Sequence, residues 1–132
     1  MEETMKKGSV LDLLLNGDLP DVRKKLPEKR MRIDRLSELA GHDVIFTLRG
    51  IPYQTIRKVQ KKTDAIAVNM VLEGCVEPNF HDKRLLSPEK NIATPIDAIT
   101  AMLTPGEIDE LSVEIQMLDG YIVRTLSEVK NA

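Results

Sequence analysis

At 132 residues, 42% hydrophobic and 30% charged, the chain has the length of one domain and the composition of an ordinary globular protein, which excludes a disordered polypeptide. Aromatic residues make up 3% with no Trp, so the core has to be aliphatic and the surface lacks the usual Trp and Tyr anchors of a tight interface. Cys75 is the only cysteine, which excludes an intrachain disulfide and a thiolate metal cluster and suits a reducing cytoplasm.

The net charge of −2 is unevenly placed. Residues 1–62 hold 14 Lys and Arg against 9 Asp and Glu, and residues 63–132 hold 5 against 12. Two solvated faces of one domain account for such an imbalance most simply; pairing within the domain, head-to-tail association and a charged partner are the other readings.

Residues 1–8 read as a flexible N-terminus. Ser9 is placed to cap a short helix over residues 10–15, which Asn16-Gly17 would end. That apolar run is too short for a signal sequence or a membrane span, so the expectation is a cytoplasmic protein with no membrane partner. Residues 18–28 form a polar connector carrying Arg23-Lys24-Lys25. Over residues 29–35, Met31 and Ile33 alternate with charge, the period of a half-buried strand. Residues 37–40 make one turn, stopped by Gly41. In residues 43–49, DVIFTLR, Val44, Phe46 and Leu48 share one face, which predicts a second strand antiparallel to the first.

Pro52 opens a helix to about Lys62, with Tyr53, Ile56 and Val59 on one side and Arg57, Lys58, Lys61 and Lys62 mostly on the other. Asp64 is a candidate cap for a helix over residues 65–76. This segment is apolar nearly all round, which predicts a central helix, with a buried strand from Val68 as the competing assignment. Residues 78–90 are irregular, and Phe80 is the residue to pin them to the core. Thr94-Pro95 and Thr104-Pro105 each open a further helix, with the Thr as cap and Pro at the first helical position. Glu107 completes a capping box with Thr104. On the helix from Pro105, Ile108, Leu111, Ile115 and Leu118 form the core stripe. Val113 and Met117 fall on the opposite side between Asp109 and the pair Glu110 and Glu114. They are either a docking ridge or a seat for another helix of the same chain. A last helix is expected over residues 121–129. The fold class is therefore α+β: a mostly helical single domain over 1–132, with a small antiparallel hairpin (about 29–35 and 43–49) packed on four to five helices.

No cluster has the chemistry of an active site. His42-Asp43 are adjacent and point apart on an extended chain, so they form no dyad. Cys75 lies in an apolar segment, which raises a thiol pKa, and this argues against pairing with His81 as nucleophile and base. His81-Asp82 with Glu77 lacks zinc-ligand spacing. Asp109, Glu110 and Glu114 read as a solvated face. The acidic isoelectric point, about 5.7, weighs against nucleic acid as the partner of the basic helix. No catalytic, metal or cofactor residue is assigned. The candidate protein-interaction surface is Tyr53, Arg57, Lys58, Lys61, Val113 and Met117.

The ordered segments Arg35-Leu36-Ser37-Glu38-Leu39, Leu72-Glu73-Gly74 followed by Val76-Glu77-Pro78, and Leu103-Thr104-Pro105-Gly106-Glu107-Ile108 make the chain resemble the XkdN-like phage tail assembly chaperones. Order and spacing over nearly the whole chain carry the resemblance. It implies a non-enzymatic role without a cofactor. It further implies binding to the tape measure protein of a phage or prophage tail, help in recruiting the major tail protein, and the possibility of a homo-oligomer. In many such chaperones a ribosomal frameshift yields a longer form, of which this chain would be the short product. A small structural tail or connector protein is the alternative.

Overall fold

The computed structural model describes residues 9–15 and 26–130. The flexible N-terminus at 1–8, the Asn16-Gly17 helix end and the basic run at 23–25 lie outside the described residues. Six helices and a three-stranded sheet form within them.

Helix α1 (Val10–Leu15) is closed at its start by Ser9 and Asp12. The Asp12 amide donates to Ser9 Oγ at 3.2 Å, and the Ser9 amide donates to Asp12 Oδ2 at 3.3 Å. Strand β1 (Glu28–Arg32) pairs antiparallel with β2 (Ile45–Arg49), placing Met31 opposite Phe46 and Lys29 opposite Leu48. The hairpin is as expected, but β1 stops short of residue 35. Residues Asp34–Ala40 instead form α2, a longer helix than the single turn expected, closed by Gly41 in the left-handed region at φ 79°. The cause is Ser37, which is buried. Its Oγ donates to the Ile33 carbonyl and accepts from the Val44 amide, both at 2.8 Å, so the chain between the strands is tied into a helical turn.

Helix α3 (Tyr53–Gln60) starts after Pro52, which caps it rather than occupying its first turn. Helix α4 (Ile66–Gly74) begins without a side-chain cap; Ala65 holds the cap position, so Asp64 does not cap it. The two competing assignments for this segment each describe part of it. The helix ends at Gly74, and β3 (Cys75–Glu77) adds to β2 to give the order β1-β2-β3. A Cβ at Gly74 would lie 2.5 to 2.9 Å from three carbons of Ile115, so only glycine lets the end of α4 reach the helix beneath it.

Residues 78–90 are irregular apart from two 3₁₀ turns, Lys83–Leu85 and Pro88–Lys90. Phe80 is buried and meets Phe46 edge-on at 6.0 Å, pinning this loop as expected. Helices α5 (Pro95–Met102) and α6 (Pro105–Leu118) carry the caps read from the sequence, and Asp97 gives α5 a capping box as well. Helix α4 is central, packed along α6 and flanked by α3 and α5. Leu48, Val71, Ile99 and Ile115 are its fully buried centre.

The helix expected over 121–129 does not form: residues 121–130 have no regular structure. Helix α6 ends in a Schellman turn. Gly120 takes φ 89° and its amide donates to the Met117 carbonyl at 3.1 Å, while the Tyr121 amide donates to Gln116 at 2.9 Å.

Candidate protein-interaction surface

The candidate residues fall on two helices that each pack against α4. On α3, Ile56 and Val59 are buried, whereas Tyr53, placed on their side by the periodicity, is 67% exposed. The Arg57 guanidinium lies 5.9 Å from its ring centroid, one turn along, so Tyr53 covers a cation rather than the core. Arg57, Lys58, Lys61 and Lys62 are all exposed. They form a basic end on a short helix whose other face is committed to the core.

On α6, Ile108, Leu111 and Ile115 are buried and Leu118 half-buried, as the stripe predicts. Val113 is 39% exposed and Met117 half-buried on the other side. Neither is buried, so the ridge is open to solvent at Val113 and in part at Met117. Asp109 and Glu110 beside it are exposed. Glu114 is not simply solvated; it pairs with Lys29, which sits on β1 opposite the buried Leu48 of β2.

Between β1, α2 and α6 lies a cleft of about 290 Å³, floored by Met31 and Leu111 and walled by Arg32, Arg35, Glu107 and Glu110. Two carboxylates that line it, Glu107 and Glu114, serve as joints. Arg35 donates to both oxygens of Glu107 at 3.0 and 2.9 Å and to the Met102 carbonyl at 2.8 Å. Beside that guanidinium the Glu107 carboxyl is held below its ordinary value despite some burial. A group held ionised in this way is a poor proton donor. Elsewhere, burial pushes the Cys75 thiol up to about 12, which keeps it protonated, as its apolar setting predicts. His81 lies 3.4 Å from Glu73, and Asp82 is bound by Arg84, which lowers its carboxyl to about 2. His42 and Asp43 are exposed, and Asp43 pairs with Arg32. Among the described residues no three His, Cys, Asp or Glu side chains converge to hold a metal ion, and no helix is long and apolar enough to cross a membrane.

The comparisons with known proteins fit this geometry. The Phage XkdN-like tail assembly chaperone protein family matches residues 11–132. The chain belongs to the XkdN-like phage tail assembly chaperone family. Its fold is similar to the crystal structure of the protein YqbN, with a TM-score of 0.57 and 17% identity, over 78% of this chain and 92% of that one. No curated protein sequence matches it.

In this family member, the segments that made the resemblance visible turn out to be joints. Arg35 ties α2 to Glu107 on α6, and Ser37 ties α2 to Val44 before β2. Gly74 seats α4 on Ile115, and Thr104 with Glu107 starts α6. The Ile51 amide donates to both Asp119 oxygens, at 2.9 and 3.0 Å, a further joint that spacing alone did not reveal. The exposed apolar side chains after α6, Ile122, Val123, Leu126 and Val129, carry helical spacing in the sequence, which by itself does not tell whether another surface covers them.

Proposed function

We propose that the chain is a non-catalytic chaperone of the host cytoplasm that holds the tape measure protein until the tail tube assembles around it. The observation that carries this reading is the α6 ridge: Val113 exposed and Met117 half-buried, four residues apart, with Asp109 and Glu110 alongside. An apolar line at helical spacing with charged flanks suits the apolar face of an amphipathic partner helix. The basic end of α3 adds a second charged contact. Family membership supports the assembly role. Glu107 and Glu114 are engaged in joints and the Cys75 thiol is buried and held protonated, which suits binding rather than catalysis. The major tail protein is the expected later partner, and self-association is compatible with the charge imbalance.

Co-expression with the tape measure protein of the same phage or prophage tests the reading. The client should stay soluble and co-purify with this chain, and mass spectrometry of finished particles should find the chain absent. An insoluble, unbound client removes the basis for the proposal. Retention of the chain in finished tails would instead make it a structural tail or connector protein.

A further inference from the structure

Residues 121–130 leave α6 without regular structure, yet Ile122, Val123, Leu126 and Val129 are 68, 43, 82 and 87% exposed. Their spacing is that of one helix face, with Ile122, Leu126 and Val129 at i, i+4 and i+7. Ile122 is held at φ 76°, a conformation that β-branched residues avoid and that a helix would relieve. The segment therefore carries the pattern of a helix and lacks the surface against which to form one.

That surface lies one turn away in sequence. The Schellman turn at Gly120 reverses the chain at the end of α6. If residues 121–130 run back along α6 as a helix about a turn centred between Asp119 and Gly120, Ile122 falls opposite Met117 and Leu126 opposite Val113. Lys130 falls opposite the exposed Asp109. Each side is a ridge of i, i+4 steps, so all three pairs meet in one register, with apolar facing apolar and cation facing anion.

We propose that residues 121–130 are a strap that closes onto the Asp109, Val113 and Met117 ridge of α6 as the second arm of a helical hairpin. Closure buries Ile122, Leu126 and Val113 together and lets Ile122 return to a negative φ. The described structure is the open state. The strap needs no client and stands whether or not the tape measure protein is one.

Amide hydrogen exchange on the full chain tests it. A strap closed for nine-tenths of the time slows exchange of residues 125–130, the amides that a helix starting at 121 can bond internally, roughly tenfold relative to an unstructured peptide. Val113→Asp and Leu126→Asp should each abolish this protection, with no further loss when combined. Val113→Asp together with Leu126→Lys should restore it by replacing the apolar contact with an ion pair. Both positions are exposed, so protection around the buried Ile115 should persist and report that the fold is intact. Unprotected strap amides in the parent chain, or protection that survives Val113→Asp, would overturn the proposal. So would protection that rises with protein concentration, because the strap would then be docking on a second copy.

Discussion

Single residues here act mainly at joints between elements, and the clearest case is Gly74. Its importance is not conformational, since its φ is ordinary for a helix end; it is a matter of space. Alanine at this position gains up to about 1 kcal/mol of helix propensity. Against that, its Cβ would fall within 2.9 Å of Ile115 Cδ1, Cγ1 and Cγ2, in a fully buried site where none of these atoms can swing into solvent. Overpacking of this kind costs about 1–3 kcal/mol, and collision with three atoms belongs near the upper end. Gly74→Ala should therefore lower the urea midpoint clearly. Ile115→Ala, itself destabilising through its cavity, should cost less in the Gly74→Ala background than alone, a coupling that a double-mutant cycle measures. None of this is legible in the sequence, where Gly74 reads only as a small residue in an apolar run.

At the scale of elements, what the sequence reveals depends on how local the deciding interaction is. The starts of helices α5 and α6 are legible to the residue because Thr94-Pro95 and Thr104-Pro105 are caps whose partners lie three residues away. The boundary between β1 and α2 was not, because it is set by Ser37 accepting the Val44 amide seven residues on. The end of α4 depends on Ile115, far along the chain, and the missing helix over 121–129 on the absence of a covering surface. Glu107 joins the two kinds of information. Its capping box with Thr104 is local, while its pairing with Arg35 spans 72 residues. Glu107→Gln separates them, since glutamine keeps the capping geometry and loses the charge. Arg35 holds the Glu107 carboxyl below its ordinary value in the folded state. A depressed carboxyl contributes stability that is present above the unfolded value and lost as pH falls through the folded one. The parent chain should thus have a higher urea midpoint than Glu107→Gln at pH 7. The gap should close as pH falls through and below the usual carboxylate range, and a gap that persists in strong acid would mean that packing, not charge, holds this joint.

Over the whole molecule, the charge imbalance between the two halves of the sequence is answered partly inside it. Lys29–Glu114 and Arg35–Glu107 each join a cation from the basic half to an anion from the acidic half, and both draw the hairpin and α2 onto α6. The basic end of α3 and the exposed Asp109 and Glu110 of α6 are left facing outward. The two proposed surfaces should then contribute differently to client binding. Exposed charges at a rim steer association and are screened by salt, whereas an apolar ridge governs how long a complex lasts. Lys58→Gln with Lys61→Gln should slow capture of an amphipathic tape measure segment several-fold at low salt and little at high salt, with at most a small loss of stability because both sit at the C-terminal end of α3. Val113→Asp should speed release at either salt concentration. Leu126→Asp, which opens the strap but leaves the ridge whole, should speed capture instead, because the client no longer competes with the chain's own tail for Val113 and Met117. Biolayer interferometry at two salt concentrations separates these effects. Equal behaviour of Val113→Asp and Leu126→Asp would show that client and strap do not share the ridge.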